Sequence, residues 1–120
     1  MKKYFNKLPN GQWKVYLHVF CKKGTKKREL LKPGITQFYD ANARLHFNFI
    51  KEKESFKKYY DNDVLWSKTC KNEEEALYYE NMLLKYFKNP AKLNFKTSGS
   101  TEVRNYNHQL WMNIKDSLYA

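Results

Sequence analysis

Cysteine is almost missing from this chain. Its 120 residues hold only Cys21 and Cys70, with no CxxC pair and no framework of paired cysteines. That argues against a structural zinc site, whose ligands come in such pairs. A single disulfide between the two stays open as an alternative, but a reduced, cytosolic setting fits better. Three prolines and four glycines leave no Pro- or Gly-rich linker. No internal repeat divides the chain, so residues 1–120 read as a single domain. No apolar run is long enough to cross a bilayer. The opening MKKYFNKLPNGQWK is charged but lacks the apolar stretch of a signal peptide. Acidic residues are scarce as well: 12 Asp and Glu stand against 23 Lys and Arg, a net charge of +11. That excess favours polyanions, with a Lys-rich solvated surface as the plainer alternative. Binding to a membrane face would need a basic amphipathic helix, and the strongest helical segment here opens with three glutamates, so no membrane partner is expected.

Aromatics, by contrast, are plentiful. Ten Tyr, eight Phe and three Trp make up 18% of the residues, and 42% of the chain is hydrophobic, enough for one modest core. QWKVYLHVFC alternates strictly. Trp13, Val15, Leu17, Val19 and Cys21 form one face of a strand, and Lys14, Tyr16, His18 and Phe20 the other. KKGTKK, Lys22 to Lys27, is a basic turn bent at Gly24, and RELLKPGIT after it completes a hairpin. Pro33 has no N–H for a ladder and predicts an edge or an irregular point. YDANARLHF, Tyr39 to Phe47, reads as a short helix, VLWSKTC as a third strand, and Asn72 as the N-cap of a helix from Glu73 to Phe87 that stops before Pro90. The three opening glutamates suit the positive end of its dipole. NHQLWMNIKDSLY closes the chain as a final helix or tail. The order β-β-α-β-α plus a tail predicts an α+β fold, a small three-stranded antiparallel sheet flanked by helices.

One residue of the long helix is out of place. Ala76, Leu83 and Phe87 form its apolar stripe, widened by Leu77 and Leu84, and Glu80 falls in the middle. A carboxylate on a buried stripe needs a partner. A Lys or Arg at the margin would serve. So would a divalent cation, because one helix carboxylate with waters and substrate phosphate is an ordinary Mg²⁺ arrangement.

KVYLH, LKPGIT, ANARL, ALYYENMLLKYF and AKLNF occur in that order. Together they resemble the GIY-YIG endonuclease superfamily, over roughly Trp13 to Val103, and most closely its branch in phages and large DNA viruses. SGSTEV after the last motif is similar to that branch too. The resemblance implies a core of about 13–103, with 104–120 outside it. It implies a metal-dependent DNA endonuclease that is phage or mobile-element encoded, acts in the host cytoplasm and uses Mg²⁺ or Mn²⁺. Residue by residue, Tyr16 stands at the first-motif tyrosine and Gly34 at the second-motif glycine. Arg44 stands at the helix arginine, Glu80 at the metal carboxylate and Asn94 at the loop asparagine. Lys32 replaces the usual second tyrosine, as a lysine does in some relatives, and Pro33 is a further departure. His46 lies near a position that carries a catalytic histidine in some members, at a different spacing. His18, beside Tyr16, reads more simply as a hydrogen-bonded strand histidine.

Such a set is chemically coherent. A metal on Glu80 would stabilise the leaving oxygen and a non-bridging oxygen, and Arg44 would present paired donors to the phosphate. Tyr16, an ordinary phenol of pKa about 10, would act as base if a cation such as Lys32 favoured its phenolate. Gly34 would let a ligand approach the backbone; a bulge is its plainer reading. Lys22, Lys23, Lys26, Lys27 and Arg28 on the hairpin turn would grip the DNA backbone, with Lys51, Lys53, Lys57 and Lys58 as a second patch. The chain has no room for a separate DNA-reading domain, so a homodimer is one expectation. The alternatives are a non-catalytic nucleic-acid-binding module on the same fold and a small viral inhibitor that binds another protein.

Overall fold

The computed structural model describes residues 6–39, 60–88 and 103–119. Within them lie four strands and two helices. They are β1 (Trp13–Lys22), β2 (Arg28–Thr36), β3 (Tyr60–Cys70), α1 (Glu73–Tyr86), β4 (Arg104–Asn105) and α2 (His108–Tyr119). The strands form one antiparallel sheet in the order β3-β1-β2-β4. The expected α+β class and its three long strands are present. The short β4, pairing with Leu30 and Leu31, makes the sheet four-stranded rather than three-stranded. β3 also begins four residues before VLWSKTC, because the polar Asp61, Asn62 and Asp63 still pair with the end of β1. The short helix expected over Tyr39–Phe47 lies outside the described residues apart from Tyr39.

β1 is the central strand, and Val15 to Phe20 are all buried. The alternation read from the sequence holds, but neither face is left to solvent. Val15 and Leu17 join Leu31, Trp66 and Cys70 in one apolar cluster with Ala76, Leu83 and Phe87 of the α1 segment and Trp111, Ile114 and Leu118 of α2. Both helices therefore cover this face. Tyr16, His18 and Phe20 form the opposite face, an aromatic row with ring centroids 4.5 Å apart for Tyr16–His18 and 6.5 Å for His18–Phe20.

Local chemistry sets the ends of these elements. Asn72 caps α1, its Oδ1 accepting the Glu75 N–H at 2.9 Å. The turn after β1 closes through Thr25 N–H to the Lys22 carbonyl at 2.9 Å, with Gly24 at φ +82°, a conformation that favours glycine. Pro33 lies opposite Leu17 in unbroken register, on a stretch of β2 beyond the reach of β4. Among the described residues no strand flanks β2 there on that side, the edge position its missing N–H predicted. Asn107 Oδ1 accepts the Leu110 N–H at 3.0 Å and starts α2.

Both cysteines are free thiols, at opposite ends of the sheet: Cys21 pairs with Arg28 and Asp61, Cys70 with Trp13. Burial, then the adjacent Glu75 carboxylate, holds the Cys70 thiol above its ordinary pKa. A thiol reagent is therefore expected to modify one cysteine, the half-exposed Cys21, in the native protein and to reach Cys70 only after denaturation. Mass spectrometry of the labelled peptides checks this.

Candidate functional site

The hairpin register brings two of the sequence motifs together. Tyr16 lies directly opposite Gly34, and His18 opposite Lys32. Directly opposed residues of an antiparallel pair share a face, so Tyr16, His18, Lys32 and Gly34 form one patch. Within it Tyr16 is buried at 2% exposure, His18 is fully buried and Lys32 is half-buried. Gly34 is buried for a specific reason. A Cβ at this position would come within 3.0 Å of three atoms of the Tyr16 side chain, so the phenol ring occupies the space that any other residue would fill. Neither a bulge nor a ligand approach is needed to explain the glycine: the β1–β2 register shifts between Phe20 and Cys21, away from Gly34. The pairing of a large ring with a glycine across two strands was not legible from either motif alone.

Lys14, two residues before Tyr16 on the same face, is also held in place. Its ammonium donates to the Tyr39 carbonyl at 2.5 Å and lies 5.1 Å from the centroid of that ring. Tyr39 itself is 66% exposed.

Glu80 comes from the other side of the sheet. The α1 stripe of Ala76, Leu83 and Phe87 faces the Val15–Leu17 cluster, and Tyr79 beside it packs on Trp66 with ring centroids 6.3 Å apart. Glu80 lies on that stripe, half-buried. The helix thus covers the face opposite Tyr16, and a phosphate shared by the two groups would have to sit past the margin of the sheet. Among the described residues, no group of three or more His, Cys, Asp or Glu side chains is placed to hold a metal ion. Were Mg²⁺ to bind at Glu80, no cluster of three such side chains among the described residues would share it. A hard oxygen donor partly withdrawn from water suits that cation. Arg44, His46 and Asn94, and the second lysine patch of Lys51, Lys53, Lys57 and Lys58, lie outside the described residues.

The cationic hairpin is well defined. Residues Lys22 to Arg28 are all exposed, so Lys22, Lys23, Lys26, Lys27 and Arg28 stand clear of the core at one end of the sheet. Arg28 is further tied to the C-terminal part of the chain. Its Nη1 donates to the Tyr106 hydroxyl at 3.2 Å, and the guanidinium carbon lies 5.7 Å from the Tyr106 ring centroid. Sequence reasoning listed Arg28 but missed Tyr106, because the contact depends on β4 docking beside β2. No helix among the described residues is long and apolar enough to cross a membrane. Compared with protein-family models, curated proteins and solved structures, the chain matches none.

Replacing Gly34 by Ala is expected to cost about 1–3 kcal/mol, as overpacking does. In a Tyr16→Ala background the same change should lose most of that cost. Denaturant titration of the double-mutant cycle measures the coupling, and equal costs in both backgrounds would contradict the packing described here.

Proposed function

We propose that this protein is a metal-dependent DNA endonuclease of the GIY-YIG type. The observation that carries the reading is the apposition of Tyr16 on Gly34 with Lys32 on the same face. Two motifs that are each short and weak in sequence meet at one place on the hairpin. The half-buried Glu80 carboxylate on the α1 stripe and the net charge of +11 support it further.

In this reading Lys32 keeps a cation near Tyr16, which favours the anionic form of a phenol and so its use as a base toward an attacking water. Bound Mg²⁺ would neutralise charge on the phosphate and the leaving oxygen, and Glu80 would hold it. Arg44 and Asn94 keep the roles that the resemblance implies, Arg44 as a hydrogen-bond donor to the phosphate. The hairpin lysines supply non-specific grip on the backbone. The reading carries two geometric requirements. Substrate must reach a tyrosine that is 2% exposed, and the Glu80 ion must meet it beyond the sheet margin.

Those same two features favour a second reading, a nucleic-acid-binding module on this fold that does not cut. It needs only the exposed cationic hairpin.

The Glu80→Ala variant separates them. Nicking of plasmid DNA in Mg²⁺ is expected for the native chain and not in EDTA. The variant should lose it by on the order of 100-fold or more, as loss of a direct metal ligand exceeds loss of its outer-shell support. It should keep its circular dichroism spectrum. Undiminished nicking by Glu80→Ala contradicts the nuclease assignment. Retarded DNA without cutting by the native chain favours the binding module.

A further inference from the structure

The C-terminal β4–α2 unit meets the cationic hairpin at a connected trio of side chains. Arg28 Nη1 donates to the Tyr106 hydroxyl at 3.2 Å, and that hydroxyl lies 2.8 Å from His108 Nδ1. The unit is anchored by backbone as well: β4 pairs with Leu30 and Leu31, and Tyr106 N–H donates to the Glu29 carbonyl at 2.8 Å. Arg28 and His108 are exposed and Tyr106 is half-buried.

The hydrogens of this trio follow from donor chemistry. Arginine has only donors, so the Tyr106 oxygen accepts from it. That oxygen keeps a second lone pair, so His108 Nδ1 either accepts the tyrosine proton or donates its own, according to the imidazole tautomer. One guanidinium N–H is committed to the tyrosine, on a side chain that is exposed. The far side of the exposed Arg28 therefore offers N–H donors and no acceptor. Donors without acceptors, on a surface shared with Lys26 and Lys27, match phosphate oxygens.

The charge around the trio is uneven in a useful way. Asp61 and Asp63 sit on β3, across β1 from β2, and share with Cys21, Lys26 and Arg28 an open groove of about 550 Å³. Carboxylates on the β3 side disfavour a polyanion there, while the turn leading into β2 exposes Lys22, Lys23, Lys26 and Lys27 beside Arg28. A strand of phosphates is thus steered along the β2–β4 edge, past His108.

We propose that Arg28, Tyr106 and His108 form a backbone-phosphate clamp for duplex DNA, making the β4–α2 unit part of the nucleic-acid surface. Tyr106 is a positioning residue: it fixes the guanidinium and the imidazole without needing to touch DNA. The inference rests on the nucleic-acid part of the function proposed above and is independent of cleavage.

Fluorescence anisotropy of a labelled duplex in EDTA, measured across a salt series, tests it. Arg28→Ala should weaken binding and lower the slope of log K against log salt by about one, the loss of one phosphate contact. Tyr106→Phe keeps the ring and should weaken binding a few-fold, with no further loss when added to Arg28→Ala. His108→Ala should behave in the same coupled way with Tyr106→Phe. Lys85→Ala, an exposed cation on α1, should leave the slope unchanged. Equal losses for Lys85→Ala and Arg28→Ala, additive effects of Arg28→Ala and Tyr106→Phe, or no binding by the native chain each overturn the clamp. Coupled losses in a protein that never nicks plasmid retain the clamp and remove the nuclease. Glu80-dependent nicking with a neutral Arg28→Ala does the reverse.

Discussion

The double burial of β1 is the constraint from which the rest of the arrangement follows. Six consecutive residues, Val15 to Phe20, are withdrawn from water, so the strand must be covered on both sides. Its two faces differ in kind. Val15, Leu17 and Val19 present branched aliphatic groups, and the first two lie in the cluster that both helices cover. Tyr16, His18 and Phe20 present rings that pack along the strand. A slip of one residue in the pairing would exchange the two sets. It would also move the Tyr16 ring off Gly34, the one backbone position opposite it with room for that ring. Register, core composition and the patch of Tyr16, His18, Lys32 and Gly34 are thus one problem with one solution.

The sheet therefore acts as a wall with chemistry assigned to sides. Packing dominates the helical side, where α1 still carries a half-buried carboxylate. The ring side holds the two motif residues and a cation. The hairpin end collects exposed positive charge, and β4 and α2 hold its last residue, Arg28, in place. Long-range attraction needs only the net charge, whereas cutting needs groups from both sides of the wall to reach one phosphate. A sheet margin is where that is geometrically achievable.

Much of this was legible in the residues. The strict alternation of Trp13 to Cys21 determined both faces of β1. Asn72 with three following glutamates marked the start of α1, and NHQLWMNIKDSLY marked α2. Other features were not legible, for physical reasons. β4 is two residues long, and its pairing is a backbone matter that leaves no apolar pattern. The early start of β3 hides behind Asp61, Asn62 and Asp63, whose side chains suggest a turn although their backbone pairs with β1. The purpose of Gly34 depends on a ring eighteen positions earlier and becomes visible only with the register. Tyr106 joins Arg28 across seventy-eight positions, a contact that no local pattern encodes.

The central claim is that Glu80 of α1 and Tyr16, on the face of β1 turned away from that helix, serve one phosphate. Replacing Glu80 would remove the proposed ion, so the direct measurement uses the native chain with Mn²⁺ and a duplex bearing a non-hydrolysable linkage, the ion being located by its anomalous scattering. The account predicts one Mn²⁺ on the Glu80 carboxylate, sharing a phosphate that also lies within hydrogen-bonding reach of the Tyr16 hydroxyl. An ion bound away from Glu80, or a phosphate touching only one of the two side chains, would contradict it.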